Sequence, residues 1–269
     1  MVRVIQISDT HIGSQRPLFL RNWPPVLELI RNRGPELVIH GGDVTLDGAD
    51  AEADFALCAE LLADLPSPWL SVPGNHDVGA PGKARQPVNA ERLERWERHL
   101  GADRWVHDIE GWRLIGFNSM IMGSGVPEEG AQFAWLEQVM ADAGERRIAW
   151  FCHQPLFIHG YDDGDNGYWS VPPEPRARLA AFALRFDIGL VSTGHLHLWR
   201  HASLEGTQYV WCPSTAFTVG DTQPPFPGEK VLGAVAFDFT PESVTVEQIR
   251  LPALQHAWIE DVVNEVYPR

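Results

Sequence analysis

The 269-residue sequence predicts a layered α/β fold. In its first part, short runs rich in β-branched residues alternate with segments that carry apolar residues at helical spacing. Hydrophobic residues make up 44% and charged residues 21% of the chain, which is typical of a protein that folds around a core. A strand–helix–strand–helix–strand order over residues 2–73 therefore indicates helices layered on a sheet.

The first five elements follow from local patterns. Residues 2–8 alternate in polarity and are β-branched, so they predict a strand, and residues 37–41 form a short apolar run of the kind found in buried parallel strands. Gly34-Pro35 ends one helical pattern, and Pro66 ends the next. In order, the predicted elements are a strand at 2–8, a helix at 18–33, a strand at 37–41, a helix at 51–65 and a strand at 69–73.

The middle of the chain continues the alternation and contains two loops. Residues 78–87 are broken by glycine and proline, and the longer stretch 159–175 is irregular, which in a compact domain often marks a functional segment. The predicted elements are helices near 89–100, 131–143 and 176–185 and strands near 104–109, 112–118, 147–152 and 188–193.

After residue 199 the pattern changes to strands and turns. Four strand-like segments, at 199–206, 207–213, 232–239 and 244–251, predict a second sheet packed against the first. The remaining residues, 251–269, are expected to form a tail or a peripheral helix after a domain that covers residues 1–250.

Charge and composition exclude several classes of protein. The formal net charge of −15 argues against a partner that is a nucleic-acid polymer, since such binders are basic. No uncharged apolar run reaches 18 residues, so no membrane-spanning segment is expected. Three cysteines cannot form a disulfide framework, and the first residues do not resemble a signal peptide. We therefore expect a reduced, cytoplasmic protein.

Polar side chains that can bind metals follow five of the predicted strands. In an α/β sheet, ligands bind at the carboxyl ends of the strands, so these groups should meet at one edge. The candidate ligands are Asp9, His11, Asp43, Asn75, His153, His195 and His197.

The number and type of these side chains favour two transition-metal ions. A single catalytic zinc ion needs about three protein ligands, whereas seven suit two ions that share a bridging carboxylate. Mixed imidazole and carboxylate ligands favour zinc, manganese or iron over calcium or magnesium. Taken alone, each motif also fits a turn or a packed histidine; it is their joint order at strand ends that predicts a metal centre.

These motifs resemble those of the calcineurin-like metallophosphoesterases. The resemblance rests on Asp9-x-His11, Gly42-Asp43, Gly74-Asn75-His76-Asp77, His153 and Gly194-His195-x-His197. Within that superfamily the chain is most similar to the class III cyclic nucleotide phosphodiesterase and glycerophosphodiesterase group. The resemblance implies a four-layer αββα sandwich, with two mixed sheets flanked by helices.

The resemblance also implies roles for the residues of the motifs. Two transition-metal ions, both divalent or of mixed valence, would be bound. Asp9, His11, Asp43 and His197 would hold one, and Asp43, Asn75, His153 and His195 the other. His76 would lie beside the substrate phosphate as a catalytic residue, with Asp77 orienting it. Purple acid phosphatases carry a tyrosine where this chain has Leu46, which argues against a ferric-tyrosinate site.

The expected activity is hydrolysis of a small phosphodiester, with 3',5'-cyclic nucleotides as the best candidates. Alternatives are a phosphomonoesterase or glycerophosphodiesterase on the same site, a DNA nuclease of the superfamily, and a non-catalytic scaffold on the same fold. The acidic balance argues against the nuclease, and the complete ligand set argues against the scaffold.

Further residues are candidates for contact with the substrate. Asn75 and His76 should face the phosphate, and His159, Tyr168 and Trp169 of the long loop could touch the rest of the molecule. The aromatic pair could stack on a base, or could instead hold the loop against the surface. Because relatives are often dimers or larger, a homo-oligomer is expected.

Overall fold

Eleven strands form two β-sheets in the computed structural model, which describes residues 1–267. In chain order, the strands are β1 (Val2–Ile7), β2 (Leu37–His40), β3 (Trp69–Ser71), β4 (Trp105–Ile109), β5 (Trp112–Gly116), β6 (Arg147–Phe151), β7 (Ile188–Thr193), β8 (Arg200–Leu204), β9 (Thr207–Trp211), β10 (Gly233–Phe239) and β11 (Val244–Arg250). The five-stranded sheet has the order β11-β10-β1-β2-β3, and the six-stranded sheet has the order β4-β5-β6-β7-β9-β8. Both sheets mix parallel and antiparallel pairs.

Helices cover the outer faces of both sheets. The helices are α1 (Trp23–Arg33), α2 (Glu52–Ala63), α3 (Asn75–Val78), α4 (Ala90–Leu100), α5 (Pro127–Ala141), α6 (Pro173–Arg185) and α7 (Ile259–Val266), with 3-10 turns at Leu18–Asn22, Ser119–Ile121 and Gly167–Trp169. Of these, α1, α2 and α4 pack on the first sheet, and α5 and α6 pack on the second. None of these helices is both long and apolar enough to cross a bilayer, within residues 1–267.

Alternating side chains of each strand build the layers. Val4 of β1 packs between the sheets with Phe151 of β6, whereas its neighbour Ile5 packs outward against α1 and α2. In the second sheet, Trp150 points outward to α5 and α6. Because successive side chains of a strand point to opposite faces, each strand serves two apolar layers. The result is helices, sheet, sheet and helices, as the motifs predicted.

The prediction that the strands after residue 199 form a sheet of their own is wrong. β8 and β9 extend the sheet of β4–β7. In the first sheet, β10 pairs with β1, and β11 pairs with β10. The second sheet is begun by strands from the middle of the chain. Strand patterns predict strands well, but pairing depends on tertiary contacts that a local pattern does not contain.

Several helix boundaries differ from prediction because of proline. The predicted helix at 18–33 is a 3-10 turn followed by α1, whose first turn contains Pro24 and Pro25. Helices α5 and α6 begin at Pro127 and Pro173, earlier than predicted. Proline lacks the N–H that the first helical turn leaves unpaired, so it starts helices as readily as it ends them. The long loop is correspondingly shorter than 159–175.

The C-terminal stretch contains α7 and packs on the first part of the chain. Thr218 pairs with Trp258 as an isolated bridge, and its carbonyl oxygen accepts a hydrogen bond from the Ile259 amide at 3.0 Å. Val266, at the end of α7, is fully buried with Phe19 and Phe217. Residues 268–269 of the predicted tail lie outside the described residues.

Candidate metal centre

The seven predicted ligands meet at one edge of the two sheets. Asp9 and His11 follow β1, Asp43 follows β2, and Asn75 opens α3 just after β3. The remaining three, His153, His195 and His197, come from the other sheet, where β6 and β7 end. All seven side chains are buried, with at most 5% of their surface exposed. The strand ends therefore converge as the sequence predicted.

The first group consists of Asp9, His11 and His197. The Nε2 atoms of the two imidazoles lie 3.2 Å apart, and Oδ1 of Asp9 lies 3.3 Å from Nε2 of His197. Three atoms that could each donate an electron pair thus point at one small volume. This arrangement fits one cation.

The second group consists of Asp43, His153 and His195. Oδ2 of Asp43 lies 3.3 Å from Nε2 of His153, which is 3.3 Å from Nδ1 of His195. The same Asp43 oxygen lies 3.7 Å from Nε2 of His11 in the first group. Asp43 is therefore the carboxylate that two ions could share.

The absence of hydrogen bonds at the buried Asn75 amide supports its predicted role as a metal ligand. Its amide oxygen and nitrogen are both buried, and neither makes a hydrogen bond among the described residues. A buried amide without partners costs free energy, so such groups usually have a ligand to satisfy them. The donor set as a whole fits a transition-metal pair.

Each histidine of the second sheet has one ring nitrogen that points away from its candidate metal group, here called the outer nitrogen. Main-chain carbonyls hold these outer nitrogens in place. Nδ1 of His153 pairs with Gly41 O, Nε2 of His195 with Tyr168 O, and Nδ1 of His197 with Phe217 O, each at 2.8 Å. A carbonyl can only accept, so the outer nitrogen carries a proton, and the inner nitrogen is the one that can offer an electron pair to a metal ion. Histidines that bind metals are oriented in this way.

Left-handed backbone is concentrated at the ligands. Among residues 1–267, six residues other than glycine have positive φ, and five of them are Asp9, His11, Asp43, His195 and His197. The sixth, Glu205, lies in a hairpin turn. Strained backbone of this kind persists where the surroundings enforce it, and it clusters at functional sites.

Two glycines of the motifs allow the ligands to approach. A Cβ atom on Gly74 would lie 2.2 Å from Oδ1 of Asp43, and one on Gly194 would lie 2.6 Å from Oδ2 of Asp9. Any larger residue would displace a ligand carboxylate. The glycines that precede Asn75 and His195 are thus part of the site's geometry.

The buried carboxylates and imidazoles of the site shift one another's pKa values. Burial acts to raise the pKa of Asp43, but the neighbouring imidazoles, led by His153, hold it well below its usual range. Burial acts to lower the pKa of His153, yet attraction to Asp43 outweighs it and raises that pKa to about 9. Burial and repulsion from His153 lower the pKa of His195 to about 3. The site thus favours a positive charge beside Asp43, from a proton or a metal ion.

His76 lies next to the first group. Its ring centre is 4.8 Å from that of His11, and its backbone N–H donates to Oδ1 of Asp43 at 2.8 Å. Nδ1 of His76 lies 2.9 Å from Leu46 O, so Nε2 is the nitrogen available to a substrate.

The prediction that Asp77 orients His76 is wrong, because Leu46 O takes that place. The carboxylate of Asp77 accepts hydrogen bonds from the backbone N–H groups of Val44, Thr45 and Gly74. Adjacent residues of a helical turn point in different directions, so Asp77 reaches back to the start of α3. Asp77 fixes the loop that carries Asp43.

Two of the three predicted loop residues lie at the site. The ring of Tyr168 is 4.6 Å from that of His195, and Trp169 lies 6.4 Å from it. Beside Tyr168, a cavity of about 430 Å³ is lined by Lys83, Gln154 and Asp165.

The third, His159, is not at the site, which corrects the prediction. Asp163 accepts hydrogen bonds from the backbone N–H groups of Ile158 and His159, and this turn leaves the His159 side chain exposed. His159 lines a different cavity, of about 670 Å³, together with Ala183 and Leu204. No predicted metal ligand lines either cavity, but the smaller one adjoins the site through Tyr168, whose ring lies against that of His195.

Three site residues were missed by sequence reasoning. The Nζ atom of Lys83 lies 4.2 Å above the Tyr168 ring, and Phe217 packs 4.2 Å from the His197 ring. The hydroxyl of Tyr267 lies 3.2 Å from Nδ1 of His11. No motif marks these residues, since they reach the site from loops and from α7.

A known protein family matches most of the chain. The sequence model of a family described as Calcineurin-like phosphoesterase matches residues 2–198. That range contains all seven predicted ligands.

Two similar sequences are bacterial enzymes. The 3',5'-cyclic adenosine monophosphate phosphodiesterase CpdA of Escherichia coli strain K12 is 28% identical over 223 residues, covering 80% of this chain and 76% of that protein. The glycerophosphodiester phosphodiesterase GpdQ of Enterobacter lignolyticus strain SCF1 is 30% identical over 219 residues, covering 76% and 72%.

A solved structure shows the same fold. A dimetal phosphatase from Danio rerio superposes with a TM-score of 0.62 at 11% identity, covering 93% of this chain and 96% of that one. The four-layer sandwich predicted from the motifs is thereby confirmed.

Proposed function

Because the chain belongs to the calcineurin-like phosphoesterase family, we propose that it is a two-metal phosphodiesterase acting on a small phosphodiester. Membership confirms the resemblance that the motifs predicted, and it makes the protein a metal-dependent phosphoric ester hydrolase. The observation that carries the proposal is the convergence of six buried aspartate and histidine ligands, five of them in left-handed backbone, on two adjacent points.

The proposed ligand sets follow the two groups of side chains. Asp9, His11 and His197 bind one ion, and Asn75, His153 and His195 bind the other, with Asp43 shared. When bound, two dications withdraw charge from a phosphate and acidify water. Manganese, iron and zinc all suit these ligands.

His76 is proposed to move a proton during hydrolysis. Water attacks phosphorus and releases a proton to solvent, the bond to the leaving oxygen breaks, and that oxygen takes a proton from Nε2 of His76, which solvent then reprotonates. Leu46 O fixes the ring so that Nε2 faces the site. A positioned acid–base group of this kind contributes roughly 10²–10⁴-fold to the rate.

A cyclic nucleotide is the proposed substrate. The cavity beside Tyr168 falls within the range of about 300–1,000 Å³ that ligand pockets show. Tyr168 and Trp169 offer faces on which a base can stack, and Lys83 adds a positive charge. The similarity to a cyclic nucleotide phosphodiesterase supports this choice.

A glycerophosphodiester is the second candidate. It is supported by the similarity to an enzyme of that name and by the polar groups of Gln154 and Asp165 in the same cavity. A phosphomonoesterase would use the same ligands. A scaffold without activity is disfavoured because the aspartate and histidine side chains form two groups that could each hold a metal ion.

The decisive experiment is a hydrolysis screen of manganese-loaded protein, with metal content measured in parallel. It compares bis-p-nitrophenyl phosphate with p-nitrophenyl phosphate, and then cyclic AMP with glycerophosphodiesters. We expect close to two ions per chain and faster cleavage of diesters, with cyclic AMP preferred. Asp43→Ala should lose both metal and activity; full metal content and activity in that variant would refute the shared-ligand assignment.

A cytoplasmic location and a homo-oligomer are also proposed. The three cysteines, Cys58, Cys152 and Cys212, are all buried and unpaired, as in reducing compartments. Light scattering of the purified protein tests the oligomer, and one chain per particle would refute it.

A further inference from the structure

The C-terminal helix brings a tyrosine hydroxyl to one of the proposed metal ligands. The hydroxyl oxygen of Tyr267 lies 3.2 Å from Nδ1 of His11, although 256 positions separate the two residues in the chain. The Tyr267 ring also lies 5.0 Å from that of His76. The residue that follows α7 therefore forms part of the wall of the site.

The outer nitrogen of His11 has a different kind of hydrogen-bond partner from the outer nitrogens of the other three histidines. His153, His195 and His197 each pair their outer nitrogen with a main-chain carbonyl. Nε2 of His11 faces His197 and Asp43, which leaves Nδ1 as its outer nitrogen, and the partner there is the Tyr267 hydroxyl.

The protonation pattern follows from metal binding. Nε2 of His11 needs a free electron pair to bind a cation, so the ring proton must reside on Nδ1. Nδ1–H then donates to the tyrosine oxygen. A hydroxyl can fill the place that a carbonyl fills for the other three imidazoles.

Helix α7 is anchored well enough to hold this contact. The Glu260 carboxylate accepts hydrogen bonds from the backbone N–H of Gly220 at 2.9 and 3.0 Å. The Arg16 guanidinium donates to Val266 O at 3.1 Å, immediately before Tyr267. The buried Val266 packs in one cluster with Phe217, whose carbonyl oxygen accepts from His197.

We infer that Tyr267 is a positioning residue that holds the His11 imidazole in its metal-binding orientation. The inference rests on the proposed two-metal centre and adds to it a ligand support that comes from outside the range of the family match, residues 2–198. It also makes α7 a part of the site, not a peripheral helix.

The test is Tyr267→Phe, which removes only the hydroxyl. Calorimetric titration of metal-stripped protein with Mn²⁺ should resolve two binding steps. We expect one step to weaken roughly 10–100-fold, as when other such partners are removed, and the other to stay within twofold. The visible spectrum of the Co²⁺-loaded variant should shift as well, because the geometry at His11 changes.

Tyr161→Phe is the matched control, since the Tyr161 hydroxyl pairs with that of Tyr209 at 3.0 Å, and neither residue is among the proposed ligands. It should leave both binding steps unchanged. Unchanged affinities and spectrum in Tyr267→Phe would overturn the inference while the two-metal centre stands. Equal weakening of both steps would also overturn it, because that marks a general loosening. Wild-type protein that binds no Mn²⁺ would overturn the proposed function together with the inference.

Discussion

At the scale of single residues, the backbone of the ligands is as informative as their side chains. Asp9, His11, Asp43, His195 and His197 hold left-handed conformations that generally cost about 1–3 kcal/mol each. Such conformations survive because each follows a strand that fixes the chain, and because backbone hydrogen bonds such as those from Asp9 N–H to Gly42 O and from His11 N–H to Asp43 O hold the turns. Residue types and chain order predicted which side chains bind, but not this backbone, since it depends on packing.

His76→Ala should separate catalysis from metal binding. We expect metal content to stay near that of the wild type and kcat to fall by roughly 10²–10⁴-fold for a diester with an alkyl leaving group. The loss should be smaller for bis-p-nitrophenyl phosphate, because p-nitrophenolate leaves without a proton. Steady-state kinetics with both substrates and metal analysis measure this. A lost ion would instead make His76 a ligand, as its position near His11 and Asp43 would allow.

At the scale of elements, loops decide what reaches the metal centre. The 3-10 turn at Gly167–Trp169 is held because Tyr168 O accepts hydrogen bonds from both Gln154 and His195. The sequence indicated a functional loop from its length and its aromatic residues. It could not show that the His159 end turns outward, because that depends on the local bonds made by Asp163.

Trp169→Ala should change substrate preference. Its ring packs 5.6 Å from Phe226 and borders the site, so its loss removes a face on which a base can stack. KM for cyclic AMP should rise severalfold, with a smaller rise for bis-p-nitrophenyl phosphate. Phe157→Ala is a control for general damage, because Phe157 packs in the core of the second sheet. Equal KM changes for both substrates in Trp169→Ala would show that the tryptophan only packs the loop.

An ion pair between β1 and β10 makes a pH-dependent contribution to stability. The Arg3 guanidinium donates to both oxygens of Asp238 across the antiparallel pair, at 2.7 and 2.8 Å, and this hydrogen bonding lowers the pKa of Asp238. A carboxylate with a lowered pKa in the folded state stabilises the fold above its unfolded value of about 3.9. That stability is lost as the pH falls through the folded pKa.

Asp238→Asn should therefore reduce the free energy of unfolding at pH 7 by up to about 1 kcal/mol. The difference from wild type should shrink below about pH 4, where the wild-type carboxylate also becomes neutral. Urea titrations at several pH values measure it. Asp221→Asn, at an exposed position, should change little at any pH. A difference for Asp238→Asn that stays constant down to pH 3 would contradict the ion-pair explanation.

At the scale of the whole molecule, the candidate metal centre lies between the two sheets. Asp9 and Asp43 extend from one sheet and His153, His195 and His197 from the other, so ions bound between them tie both halves together. The sequence predicted that these side chains follow strand ends, and the resemblance of the motifs implied the layered architecture, because such motifs can be read directly from the chain. The distribution of β8–β11 between the sheets could not be predicted, since similar strand patterns fit either sheet.

Metal removal should lower thermal stability measurably. Ions at about 100 times their Kd stabilise a folded protein by about 2.7 kcal/mol, which for a chain of this size corresponds to about 5–10 °C in Tm. Scanning calorimetry with manganese and with a chelator measures the shift. Asp43→Ala should melt at the same temperature in both conditions. An equal Tm for wild type in both conditions would contradict tight metal binding.

The contact between His11 and Tyr267 also has a consequence for biosynthesis. Ribosomes add about 5–20 residues per second, so roughly 13–50 s pass between the synthesis of these two residues. During that interval β1 also lacks β10, its antiparallel neighbour in the finished sheet. The nascent chain thus contains His11 before Tyr267 and β10 have been made. The candidate metal centre can reach its final form only after Tyr267 has been translated.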